Sequence, residues 1–333
     1  MTRSPRILIA AAIILTSSCG ANKAPVAPIS KTASTVYMTR EISPEALVSI
    51  YEALGVKPDE GERVAVKIST GEPGGHNFLQ PSLIGKLVAH VNGTIVECNT
   101  AYGGKRGTTE EHLRVAREHG FMDIADVDIM DSEGSIRLPV KDESHIRYDL
   151  VGSHIQNYGF MVNLAHFKGH MMGGFGGVLK NQSIGVASAD GKVYLHSAGK
   201  IGKKNGFLMG VATTKQDSFL ESMAAAAQAV HDYFGEGNIV YINVMNNLSV
   251  DCDCDGSPAD PEMKDIGILA STDPVALDQA CLDLIFHYPS TDGDDAKALI
   301  KRIESRHGVH IVEHAEAIGL GSRKYNLVDI QAM

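Results

Sequence analysis

The chain reads as an α/β protein with a mixed, mostly parallel sheet and helices on both faces, and it leaves room for two lobes. Three observations point there. Apolar runs of strand length alternate with amphipathic runs of helix length from Arg63 onward. Helix-start signals precede several of the amphipathic runs. The composition, 44% hydrophobic and 21% charged over 333 residues, suffices for a large core.

In order, VAVKIS (64–69) is expected as a strand, PSLIGKLVAHV (81–91) as a helix and TIVECN (94–99) as the next strand. Thr108 with Glu111 forms a capping box, and Gly120 stands where that helix should stop, which places it at about 109–119. ADVDIMD (125–131) and GFMVNLAHF (159–167) follow as strands, the second apolar enough to lie centrally. The glycine-rich stretch 169–210 fits no regular element, and a loop that long is more often functional than idle. Ser218 and Glu221 suggest another capping box for a helix running to about Phe234, with IVYINVM (239–245) as a strand beyond it. Asp273 as cap with Pro274 at the first helical position opens a helix whose inner face carries Leu277, Cys281, Leu284 and Ile285, which makes Cys281 a core residue. A lobe boundary, if present, belongs near residues 200–217.

The N-terminus has Arg3 and Arg6, a short apolar run from Ile7 to Leu15, and small residues before Cys19. That is the layout of an export signal, and the apolar run is too short for a permanent membrane span. Leu15-Thr16-Ser17-Ser18-Cys19 is similar to a bacterial lipoprotein signal, with Thr16 where such signals usually carry Leu. The expectation is a signal over 1–18, lipidation of Cys19, a flexible tether over 19–36 and the α/β domain over 37–333. The protein would then be a periplasmic or cell-surface lipoprotein held to the membrane by its anchor. The alternative is ordinary signal cleavage with Cys19 incidental. The net charge of −10 gives no general attraction to nucleic acid.

Two segments concentrate chemistry. SVDCDCDG (249–256) alternates, so an extended chain puts Cys252 and Cys254 on one face and Asp251, Asp253 and Asp255 on the other. Two thiols on one face can ligate a borderline metal ion, act in redox chemistry or close a disulfide. Asp251, Asp253 and Asp255 with Glu262 also match the spacing of a calcium loop, although a strand precedes it and Pro258 and Pro261 interrupt it. In NLAHFKGHMMGGFGGVLKNQSIG (163–185), His166, Lys168 and His170 share a side of an extended chain, and the glycines allow a ligand close to the backbone. Lys180 and Asn181 could complete an anion pocket there. His76, in the loop after the first strand, and Lys105 with Arg106, after the next, would reach the carboxyl edge of the sheet, where α/β proteins bind ligands. His307, His310 and His314 are expected to form a polar helix face.

Together, Lys168-Gly-His170, Lys180-Asn181 with Gly185, Asp251-Cys-Asp-Cys-Asp-Gly256 and Asp273-Pro-Val-Ala-Leu-Asp278 resemble a bacterial and archaeal family known as domain of unknown function 362. The resemblance spans about residues 60–332. It implies an α/β fold, and many relatives carry a ferredoxin-like insertion with cysteines for two four-iron clusters. This chain departs from them, with no Cys-x-x-Cys-x-x-Cys run. What carries over is the pocket of Lys168, His170, Lys180 and Asn181, the acidic-cysteine segment, and Asp273 with Asp278. A more distant similarity of arrangement, to nickel-pincer lactate racemases, carries no expectation here.

The resulting expectation is an exported metal- or redox-dependent enzyme. His166, His170, Cys252 and Cys254 would hold zinc, nickel or iron, Lys168 and Lys180 would act on a small anionic substrate, and His76, Asn181, Lys105 and Arg106 would bind it. The alternatives are a non-catalytic ligand-binding lipoprotein with a calcium-stabilised loop, and an iron–sulfur electron-transfer protein.

Overall fold

A computed structural model describes residues 33–332, which lie in one compact unit, so the stretch 200–217 does not divide two lobes. The expected signal, Cys19 and most of the tether fall outside the described residues. Residues 34–36, expected in the tether, belong to the first strand instead.

In chain order the elements are β1 (Ser34–Thr39), α1 (Pro44–Ala53), β2 (Val64–Lys67), α2 (Pro81–His90), β3 (Gly93–Glu97), α3 (Thr109–Glu118), β4 (Val127–Ile129), β5 (Ser135–Pro139) and β6 (Tyr148–Gly152). Then come β7 (Phe160–His166), β8 (Lys168–His170), β9 (Gly174–Gly176), α4 (Val178–Ser183), α5 (Ala189–His196), α6 (Phe207–Thr213) and α7 (Gln216–Phe234). The chain ends with β10 (Ile239–Met245), β11 (Gly267–Ser271), α8 (Pro274–Phe286), α9 (Lys297–Ser305), α10 (His310–Ala317) and β12 (Tyr325–Asp329).

Eight strands form one sheet in the order β12-β1-β11-β10-β7-β2-β3-β4. Only the ladders of β11 with β1 and with β10 are antiparallel; β10, β7, β2, β3 and β4 run parallel, as do β1 and β12. The central strands are buried on both sides, and their side chains alternate between two cores. In β7, Phe160, Val162 and Leu164 pack with α1 and α2 through Leu47, Ile50, Ile84 and Leu87. Met161 and Ala165 face the other core, built on Leu179 of α4, Met223 of α7 and Leu277 of α8. No helix among the described residues is long and apolar enough to cross a membrane.

The helix starts have identifiable causes. Thr108 accepts a hydrogen bond from the Glu111 amide, and Asp273 accepts from the Val275 and Ala276 amides, caps of about 1 kcal/mol each. Ser218 is not a cap: α7 begins at Gln216, Ser218 lies inside it, and Glu221 bonds to histidines of other segments. The stretch 169–210, irregular by sequence, holds the β8–β9 ribbon and helices α4, α5 and α6. Asp278 of α8 fastens α4 by accepting from the Val178 and Leu179 amides at 3.0 Å each. Burial pushes the Asp278 carboxyl up to about 6.

Candidate functional site

The parallel strands β2, β3, β7 and β10 all end at the same edge of the sheet, and the loops after them enclose a cavity of about 300 Å³. The carboxyl ends of parallel strands are where such sheets place ligands. The two chemistry-bearing segments meet there. Gly169 donates its amide to Ser249 O at 2.8 Å, and a Cβ at Gly169 would sit 2.2 Å from Val250 O, so only glycine permits this approach.

One wall is a closed charge network. Lys67, at the end of β2, pairs with Glu97, at the end of β3, at 2.8 Å, and Arg106 bridges Glu97 at 3.3 Å and Glu72 at 2.9 Å. Burial alone would raise Glu97, but Lys67, His112 and Arg106 outweigh it and bring the carboxyl down to about 2. Asn181 lines the cavity with its amide already engaged by Lys67 and Asn163.

Beside the cavity, Asp253 is buried between two bases. Its Oδ1 lies 3.0 Å from His166 Nδ1, and its Oδ2 accepts from Lys168 Nζ. His166 Nε2 also meets Asn246 O, at 2.6 Å. Both ring nitrogens of His166 therefore face oxygen acceptors, which leaves none for a metal. Lys168 is likewise spent on its ion pair. Neither residue has its expected role; both fasten the 166–170 segment to the 251–255 segment. Burial alone would raise Asp253, and the Lys168 and His166 charges hold it well below the usual carboxylate range instead.

The calcium loop does not form. Asp251 points to Arg302 at 3.2 Å, Asp253 faces the opposite way, Asp255 accepts from the Ser257 amide, and Glu262 is exposed. Their carboxylates do not converge.

Cys252 and Cys254 are joined by a disulfide and line the cavity. Cys252 is buried, Cys254 half-buried, and the Cys254 amide donates to Cys252 Sγ at 3.3 Å. His170 offers one ligand atom within 4.8 Å of both sulfurs. Its Nδ1, however, accepts from the Met172 and Gly173 amides at 3.2 and 2.8 Å, so the neutral ring carries its proton on Nε2. Burial, with the Lys180 charge next, keeps His170 well below the usual histidine range. A donor set of one protonated nitrogen and a disulfide does not fit a zinc, nickel or iron ion. A four-cysteine cluster does not fit either: Cys98 donates to Val186 O, and Cys281 lies in the core behind Asn243.

Two amines complete the cavity. Lys180 of α4 and Lys192 of α5 both line it, and among the described residues neither has a carboxylate partner; Lys192 Nζ donates to Ala187 O at 2.5 Å. Burial pushes the Lys180 amine down to about 7, and the Lys168 charge works the same way.

A family model described as Domain of unknown function (DUF362) matches residues 64–283, well over half of the chain. The chain belongs to this family. No curated protein matches this DUF362 chain. Among solved structures it is similar to the lactate racemase apoprotein from Thermoanaerobacterium thermosaccharolyticum, at 14% identity and a TM-score of 0.44. The likeness covers 76% of the DUF362 chain and 57% of the racemase chain, and it carries no argument about activity.

Two further expected residues stand apart from the cavity of the DUF362 chain. His76 is exposed and pairs with Asp260 at 3.4 Å. The Lys105 side chain is exposed, and only its amide takes part, donating to Glu72. Arg106 does line the cavity, although its charge is matched by Glu72 and Glu97. Sequence reasoning passed over Lys67, Glu97 and Lys192. The available signal for the first two was a charged residue closing an otherwise apolar strand, at the edge where ligands bind.

Proposed function

We propose that this DUF362 protein is a thiol–disulfide redox enzyme acting on a small anionic thiol. One observation carries the reading: a single cavity is lined by the Cys252–Cys254 pair, by the His170 ring with Nε2–H as its remaining donor, and by two amines without counter-ions. Its volume lies at the small end of ligand pockets. The amines favour an anion, since a bound carboxylate or phosphate supplies the charged acceptor that Lys180 and Lys192 lack.

The chemistry follows from access. A substrate thiolate attacks Cys254, the less buried sulfur, and forms a mixed disulfide while the bond to Cys252 breaks. The Cys252 thiolate leaves into the hydrogen bond of the Cys254 amide, which lowers the energy of the departing anion. A second substrate thiolate then attacks the mixed disulfide at the substrate sulfur and releases Cys254. Two substrate thiols become one substrate disulfide, and the protein keeps two electrons and two protons as the Cys252–Cys254 dithiol. The reverse direction balances in the same way.

An oxidising compartment suits such a pair, and the signal-like residues 1–20 support export with a lipid anchor on Cys19 as part of this reading. Replacing Cys19 with Ser should move the protein from membrane to soluble fraction without altering the disulfide.

The deciding experiment equilibrates the protein with mixtures of mercaptoacetate and its disulfide, and counts alkylated thiols by mass spectrometry. Cys252 and Cys254 should convert together, as one two-electron couple, while Cys98 and Cys281 stay unlabelled. A pair that remains oxidised in excess reductant, or a reduced protein that takes up zinc or nickel stoichiometrically through these sulfurs, overturns the reading.

A further inference from the structure

The DUF362 chain has a second constellation of ligand-type side chains, remote in sequence from the cavity residues. The four-residue spacing of His310 and His314 puts them on one face of α10, a turn apart. Glu221 of α7 lies against that face, and His145 comes from the connection between β5 and β6. The two oxygens of Glu221 divide between two imidazoles: Oε1 is 2.9 Å from His310 Nε2, and Oε2 is 2.5 Å from His145 Nε2. His314 Nε2 lies 2.8 Å from Asp142 Oδ2. One ligand atom each of Glu221, His310 and His314 lies within 4.8 Å of the other two.

We propose that His145, Glu221, His310 and His314 bind a divalent transition ion of the zinc type, with Asp142 orienting His314 from outside the coordination sphere. Imidazole with carboxylate is the donor set such ions select, and hard ions such as magnesium or calcium are disfavoured by three nitrogens. The charge balance agrees. Among the described residues no lysine or arginine pairs with Glu221 or Asp142, so their only basic neighbours are imidazoles, which can exchange a proton for a metal ion. The three histidines and Glu221 are partly shielded, which keeps an entry path open. Coordination distances of about 2.0–2.1 Å require the ligand atoms to draw in from their present spacing, with His145 joining the set through its contact with Glu221. The ion would staple three segments distant in sequence: the 142–145 loop, α7 and α10.

The test uses the whole oxidised protein, in which the Cys252–Cys254 disulfide offers no thiolate, so its outcome is independent of the redox reading. Zinc alone, titrated against a chromophoric chelator, should bind at one ion per chain and raise the melting temperature. His314→Asn and Glu221→Gln should each weaken binding by more than about tenfold, the loss known for removing even an outer-shell partner, and should abolish the thermal shift. His287→Ala, on the end of α8, should leave both unchanged. Circular dichroism of each variant separates loss of ligand from loss of fold, and His145→Asn supplies a third variant if either fails to fold. No zinc binding by the wild-type protein, or binding equal in the folded variants, overturns the proposal. Binding lost in His170→Asn but kept in His314→Asn would place the ion in the cavity and overturn it equally.

Discussion

Lys168 and Lys180 bring the same amine into the same part of the fold, and only Lys168 has a counter-ion. Lys168 lies on β8 and reaches Asp253, which His166 approaches from its other oxygen. Lys180 lies on α4 and lines the cavity, where among the described residues no carboxylate pairs with it. The difference teaches that burial alone does not mark a functional lysine. A buried charge that is paired holds segments together, whereas one left open is a cost that a ligand can relieve.

The largest effect should come from breaking the closed side. Asp253→Asn leaves the Lys168 amine and the His166 ring buried without their anion, and removing one partner of such a pair costs about 3–5 kcal/mol. Urea unfolding would measure it, and adding Lys168→Met should recover part of the loss. If Asp253→Asn is as stable as wild type, the two lysines are not of different kinds.

The open side should respond in the opposite sense. Lys180→Met removes an uncompensated charge, so stability should stay within about 1 kcal/mol of wild type or rise. Mercaptoacetate binding to the oxidised protein should fall by more than tenfold, since a hydrogen bond to a charged group contributes about 1.5–3 kcal/mol. The pH dependence follows from the amine titrating at about 7 in the folded chain against an ordinary value of 10.5. Between those values the unfolded chain binds more protons, so this group makes stability rise with pH across the window. Anion binding runs the other way, strongest below about pH 7 and lost as the amine deprotonates. Calorimetry at pH 6 and pH 8 on wild type and Lys180→Met reads both, and an identical pH profile in the two proteins would assign the titration to another group.

The contrast between the two lysines was only half legible in the sequence. Apolar runs of strand length gave the central strands β2, β7 and β10, and Asp273 with Pro274 gave α8, because those signals are local. The short strand β11 passed unnoticed, as its role depends on antiparallel partners far along the chain. The meeting of the 166–170 and 251–255 segments was anticipated, with Cys252 and Cys254 turned to the cavity, but the pairing of Asp253 with His166 and Lys168 was not. Alternation says that Asp253 and Cys252 diverge; it does not say that His166 and Lys168 follow the aspartate while His170 follows the sulfurs. Ligand-type side chains were therefore assigned to one centre when the fold divides them between a fastening and a pocket.

The smallest effect tests the same division at the rim. His76 and Lys105 sit on loops that follow β2 and β3, where the rule about carboxyl ends of strands would recruit them for binding. The His76 ring is exposed beside an exposed Asp260, and Lys105 contributes through its backbone amide while its side chain points to solvent. Exposed pairs contribute little because water screens them and their side chains lose entropy in forming them. His76→Ala and Lys105→Ala should thus each change stability by no more than about 0.5 kcal/mol and leave mercaptoacetate affinity within twofold of wild type. A tenfold loss in either variant would mean that the loops close over the bound anion, bringing a rim charge into a role that the open cavity does not give it.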